Sequence, residues 1–346
     1  MERICERAFN LSQFTAYKIT LGAKIGVNLL GMLALVISHF KITRSRKFSA
    51  LHVNVRLSIH LHAFCVAYSI VFIVLSYAMD LYRLSMTHVD SCDYLLPFWL
   101  PFIVRQGYQL GLLGQTLTFV FLSIERILAT FRRGYEQLQS KKLFVIFALA
   151  NLVTCFLAVY VFMGFDAEWT GKIPYFSQKN DRNRSRSIYF VYFYIICEVF
   201  SILLYNVVFF LNSRGKNRID FEEKRITQIS KTLTEKYQID ENRKVIRLML
   251  PVCWIHFAFY IFRYAGYLVV LKCMFDATPE MALLVGELFE ITCFYAFFFS
   301  FLMLRYFVWC RPSTKHAVAS ETATEYFNQM DALFRSTKET RNRRNR

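Results

Sequence analysis

Long apolar stretches alternate with short charged ones along the whole chain. Seven stretches stand out, at 19–40, 56–79, 99–124, 143–164, 188–212, 248–271 and 281–304. A helix rises about 1.5 Å per residue and needs about 20 mostly apolar residues to cross a bilayer. Every stretch meets that length. Lipid offers no partner to an open backbone, so each is predicted to be a helix and the connections are predicted to be short. None repeats another at a fixed period. The pattern predicts an all-α membrane protein, a seven-transmembrane helix bundle over 19–304, preceded by a segment 1–18 and followed by a basic tail 305–346.

Lys and Arg give the expected orientation. Loops 41–55, 125–142 and 213–247 and the tail hold 28 of them, whereas the N-terminal segment and loops 80–98, 165–187 and 272–280 hold 10. By the positive-inside rule the N-terminus is extracellular and the C-terminus cytoplasmic. Two glycosylation sequons, at Asn10 and Asn183, fall on the side so assigned to the exterior. The opening MERICERAFN lacks an apolar core, so no cleavable signal peptide is expected and the first span serves as the insertion signal.

Composition agrees with a membrane class. Of 346 residues 55% are hydrophobic and 17% aromatic. The net charge of +17 does not point to nucleic acid, because the basic residues sit in short loops between apolar blocks. Of nine cysteines, Cys65, Cys155, Cys197, Cys253 and Cys293 fall inside spans, where packing accounts for them. Cys5, Cys92 and Cys273 fall outside, where disulfides persist. A Cys5–Cys92 bridge and free thiols both remain open. Loop 165–187 has no cysteine.

Enzyme chemistry finds no support. His60 and His62 stand two apart, on different helix faces, and no HExxH, GxSxG or phosphate-cradling loop occurs. No metal or cofactor is expected. A retinal Schiff base needs a lysine in the last span, and 281–304 has none. A transporter is expected to show repeated halves or Gly/Pro-broken helices, and Pro251 is the one interior break the sequence marks.

Several spans carry charge. Arg105, Arg263 and Glu287 lie in the outer third of their spans, and Glu290 and Glu198 lie nearer the middle. Glu287 and Glu290 are three apart, on one helix face. Such groups are expensive in lipid and are expected to face the interior and pair. Two roles are open to them: a structural ion-pair network, or the polar floor of a small-molecule pocket.

The stretch 99–133 is the most informative. Its apolar part ends in Glu125-Arg126, followed by Thr130, Arg132 and Arg133. Charge at a span's centre costs at least roughly 3 kcal/mol, so this pair belongs at the membrane face. One explanation is a snorkelling pair that marks the boundary. The other is a conformational switch, because an acid beside an arginine at the inner end of a third span is where heptahelical receptors keep their G-protein contact. Its place in the third span favours the switch. In loop 213–247, Ile226, Ile229, Leu233 and Tyr237 recur at helical spacing, which fits extensions of the flanking helices and a G-protein surface, two readings that can hold together. Cys310 is a juxtamembrane palmitoylation candidate. Tyr326, Phe327, Met330, Leu333 and Phe334 form an apolar stripe in the tail, which also holds eight Ser and Thr residues open to phosphorylation.

The ordered set Cys5-Glu6, His52-Val53-Asn54, Cys92-Asp93, Leu96-Pro97, Glu125-Arg126 with Ala129-Thr130, Tyr135-Glu136, Tyr237-Gln238 and Glu241-Asn242 resembles the nematode serpentine chemoreceptors of the Sra superfamily, in its beta and alpha-beta classes. The resemblance covers most of the chain. It implies a G-protein-coupled receptor for small environmental chemicals, in the plasma membrane of a sensory-neuron cilium or dendrite. The implied partners are a small-molecule ligand, a heterotrimeric G protein, the lipid bilayer and an arrestin. The chain departs from the rhodopsin-like pattern in having no NPxxY in 281–304. A heptahelical transporter or ligand-gated channel is the alternative.

Overall fold

A computed structural model describes residues 2–131, 141–177, 182–223, 229–273 and 278–309. Among them, seven helical stretches are long and apolar enough to cross a membrane. Helix α1 (Glu2–Gln13) precedes the first span, α2 (Thr15–Thr43). The short α3 (Arg46–Ser49) leads to α4 (Val53–Ser85), the second span. The third is α5 (Trp99–Phe131), and the fourth is α6 (Lys142–Val159) with a π turn over Tyr160–Gly164. The fifth and sixth are α7 (Arg184–Glu223) and α8 (Ile229–Cys273). The seventh comes in two pieces, α9 (Pro279–Phe289) and α10 (Tyr295–Leu304), the latter followed by a π turn Arg305–Trp309.

Two boundaries differ from those the apolar pattern predicts. The segment expected as a plain N-terminus is a helix, with Cys5, Ala8, Leu11 and Ser12 buried along one face. A disulfide joins Cys5 to Cys92, with Cα atoms 4.5 Å apart, and fastens α1 over the turn Ser91–Tyr94. A two-stranded ribbon, β1 (Leu96–Pro97) against β2 (Lys172–Ile173), closes the same end of the bundle. Helices α7 and α8 also run well past their apolar parts, to Glu223 and back to Ile229. The described parts of loop 213–247, namely 213–223 and 229–247, are therefore helix. Arg132, Arg133, Tyr135, Glu136, Ile226, Cys310 and the tail stripe lie outside the described residues.

The packing centre is α5, most of whose length is buried, while α2, α6 and α7 leave apolar faces such as Leu29, Leu149 and Leu203 outward. That inversion suits a bundle whose solvent is lipid. Glycines let α5 approach α4 closely. A Cβ built on Gly107 would stand 2.2 Å from Phe72, and one on Gly111 would stand 2.9 Å from the Ser69 backbone. Small residues at this spacing are how membrane helices gain contact without a hydrophobic driving force between them.

The seventh span departs most from expectation. It breaks at Glu290 and Ile291, with no proline or glycine at the break, whereas α8 runs on through Pro251. A break in lipid strands backbone carbonyls. Here the Lys24 ammonium donates to the carbonyls of Glu287 and Glu290, so a cation on the first span terminates the first half of the seventh. Cations favour helix C-termini, where the dipole is negative. Lys24 is thus the reason the break is tolerated.

Candidate functional site

Three polar layers are stacked along the bundle axis. The first lies toward the end closed by the disulfide. Glu287 on α9 accepts from Arg105 of α5 at 3.3 Å, from Lys24 at 3.2 Å and from the Tyr77 hydroxyl of α4 at 2.7 Å. Glu290 accepts from Arg263 of α8 at 2.6 Å, from the Tyr108 hydroxyl at 2.8 Å and from Thr292. The Arg263 guanidinium lies over the rings of Tyr108 and Tyr264 at 5.2 and 5.3 Å. These charges are nearly buried, so water does little to screen them, and each acid is opposed by a cation as intramembrane charge requires. Nearby, Asp80 and Arg83 pair at 2.5 Å within α4, and Tyr17 donates to Asp80 at 3.1 Å.

Four of the five charged candidates therefore meet in one layer. Glu290 caps α9, with its N–H on the Glu287 carbonyl, and the two carboxylates reach Arg105 and Tyr108, which are three apart on α5. Lys24 and Arg263 reach them from α2 and α8. Lys24 was legible as a charge inside an apolar span, by the same signal as Arg105, yet its role depends on a break the sequence does not mark. Asp80 and Arg83 were assigned to a loop because their charges end the apolar run, but α4 continues to Ser85 and buries both.

Glu198, the fifth candidate, belongs to the middle layer. It accepts from Thr116 at 2.6 Å and lies 3.0 Å from His256 Nδ1. His62 bonds the Tyr295 hydroxyl at 2.7 Å, and its ring lies 6.0 Å from that of His256. Between this layer and the first is a cavity of about 20 Å³, bordered by Asn28, Tyr77, Gln115 and Glu290 among others. That is about the space of one water.

The third layer is the Glu125–Arg126 pair at the opposite end. Arg126 donates through Nε and Nη2 to the two carboxylate oxygens of Glu125, each at 2.5 Å. Its Nη1 donates to Asn242 Oδ1 on α8 at 2.8 Å. Asn242 in turn donates to Thr130 at 3.2 Å and to Asn212 of α7 at 3.4 Å. His52 stands 3.8 Å from Glu125, and its backbone N–H donates to Glu241 at 2.8 Å. Adjacent residues on a helix do not normally face each other, but the arginine folds back along α5 to make a bidentate fork. Arg126 is 0% exposed, whereas a snorkelling residue keeps its head group in water.

Of the sequons, Asn10 is exposed on α1. The Asn183 side chain is buried, and its amide nitrogen donates to the Met163 carbonyl at 3.0 Å, so attachment of a glycan there requires release of that bond. No group of three or more metal-ligating side chains occurs among the described residues.

Seven spanning helices around a buried third, with charged layers at both ends, have the architecture of a heptahelical membrane receptor. A family model described as the serpentine type 7TM GPCR receptor class ab chemoreceptor matches residues 2–336, and the chain belongs to that family. No curated protein matches it.

Proposed function

We propose that the protein is a G-protein-coupled chemosensory receptor of the plasma membrane. It takes a small environmental chemical in the layer formed by Lys24, Arg105, Arg263, Glu287 and Glu290, and it activates a heterotrimeric G protein through Arg126. The charge asymmetry of the loops supports an extracellular N-terminus, a cytoplasmic tail and hence a cytoplasmic Arg126. The observation that carries the reading is the tie of Arg126 to Asn242 across α5 and α8. It locks a buried arginine to a helix whose extension leads into the longest basic loop. Ligand bound between α5, α8 and α9 shifts a two-state bundle toward the form in which α8 moves, the tie opens and Arg126 turns to the partner. Membership of a chemoreceptor family supports a sensory role, and the setting proposed is a sensory cilium or dendrite.

A second reading, transport or channel activity, gains one point from the broken seventh helix, a feature that transporters use at their substrate sites. Nucleotide exchange on a co-expressed Gα, measured beside ion flux in the same cells under a library of volatiles and small metabolites, separates the two. Exchange without flux is expected. Flux without exchange, or a C-terminal epitope outside intact cells, overturns the receptor reading.

A further inference from the structure

We infer that the ligand of the first layer is a small organic carboxylate, held by Arg105 and Arg263. This rests on the receptor reading above and gives its ligand a chemical class.

The layer has its acceptors in use and donors to spare. Both Glu287 oxygens are taken, one by Arg105 and the other by Lys24 and Tyr77. Both Glu290 oxygens are taken as well, one by Arg263 and the other by Tyr108 and Thr292. On the donor side, Arg105 Nε, Arg263 Nη1 and the Tyr264 hydroxyl are buried with no hydrogen-bond partner among the described residues. A buried unmet donor, above all on a charged group, is costly. A ligand gains most where it cancels such a cost, and here only an acceptor does so.

Charge points the same way. Three cations, Lys24, Arg105 and Arg263, face two carboxylates in this layer. Lys24 spends part of its charge on the carbonyls at the helix break. That leaves the two guanidinium groups as the anchors, with side chains only 14% and 12% exposed. The planar fork of arginine matches a carboxylate in geometry as well as charge. An ammonium ligand would instead meet three cations, and each carboxylate oxygen it could reach already accepts at least one hydrogen bond or ion pair. Beside the layer, the small cavity carries Tyr77, Tyr108 and Glu290 on its wall together with Val66, Ile70 and Leu112 and with Ser69 and Gln115, so a short-chain acid is the size the site suits.

The test uses the full chain in phosphatidylcholine nanodiscs and needs no G protein, so its outcome is independent of whether exchange is observed. The unfolding midpoint is measured against short-chain alkanoates and against alkanols and alkylamines of equal length. Alkanoates are expected to raise it, alkanols to raise it less, and alkylamines not to raise it. Glu290→Gln keeps the shape but releases Arg263 from its internal acid, so alkanoate affinity should rise roughly tenfold, the size of one charge-assisted hydrogen bond. Arg263→Gln should abolish the alkanoate effect, and Arg263→Lys should retain part of it. Should Arg263→Gln not fold, Glu290→Gln decides. A loss of alkanoate binding there, stabilisation by amines equal to that by alkanoates, or no stabilisation by any alkanoate overturns the inference.

Discussion

The two charged ends of this bundle solve the same problem in opposite ways. At the Arg126 end the acid and the base are neighbours in sequence, and a single fork of two 2.5 Å bonds settles most of the charge on one helix. In the layer of Glu287 and Glu290 no acid is near its base in sequence. Glu287 is 263 residues from Lys24 and 182 from Arg105, and four helices must dock before the charges are paired. A pair whose charges are settled on one helix, and whose tie to α8 runs through a guanidinium–amide bond, can be released without dismantling the bundle. A distributed layer cannot, because each member compensates several others. On the function proposed above, release belongs to the Arg126 end, and rigidity with ligand contact to the other.

The largest expected effect comes from breaking the distributed layer. Glu287→Ala leaves Arg105 and Tyr77 without their acceptor and Lys24 with the helix-end carbonyls alone. Breaking a buried pair from one side costs about 3–5 kcal/mol. Arg263→Ala should act similarly through Glu290. Folded receptor recovered by size exclusion should fall sharply in both. Arg186→Ala, which removes an exposed 2.6 Å pair with Asp166, should cost no more than about 1 kcal/mol. Equal recovery of all three would mean that the layer is hydrated and the contrast between the two ends is false.

Next in size is the local pair. Arg126→Ala should reach the surface, at a reduced level, and fail to stimulate nucleotide exchange per receptor. Lysine at this position should rescue poorly, because it lacks the planar fork. Wild-type exchange in Arg126→Ala, normalised to surface expression, would reduce Glu125–Arg126 to a boundary marker.

Both ends hang on the α4–α5 seam, so a third experiment probes what they share. Gly111→Ala places a methyl group within 2.9 Å of the Ser69 backbone, and that contact can only be relieved by separating the helices. A loss of about 1–3 kcal/mol in thermal unfolding is expected. A neutral result would show that the helices are not in close contact there.

The smallest effect should come from Glu125→Gln, which keeps the shape of the pair and removes one charge. A change of about 1.4 kcal/mol would shift the resting equilibrium roughly tenfold. Basal nucleotide exchange should therefore rise, with little change in recovery. A fall in basal activity would mean that the acid favours the active form instead.

Much of this was legible in the chain before folding. The seven spans follow from run length, and the location of Glu125-Arg126 follows from where an apolar run ends in charge. Arg105, Arg263, Glu287 and Glu290 were recognisable as groups in need of partners, because lipid penalises each of them alone. Glu198 was grouped with them by depth, yet it pairs with His256 and Thr116, since depth says nothing of which way a helix faces. The 0% exposure of Arg126 was not legible either. It depends on Asn242 reaching it from α8.

The sequence alone determined the number of spans, the helical class and the asymmetry of charge between loops, because bilayer thickness and the lack of hydrogen-bond partners in lipid act on each segment separately. Only the tertiary structure decided which charges pair, that the seventh span breaks where Lys24 can terminate it, and that α5 lies against α4 closely enough to exclude a side chain at Gly111. The physical reason is range. Insertion into lipid is a property of about 20 consecutive residues, whereas a buried ion pair or a stabilised helix break exists only after segments distant in sequence share one small, poorly screened volume.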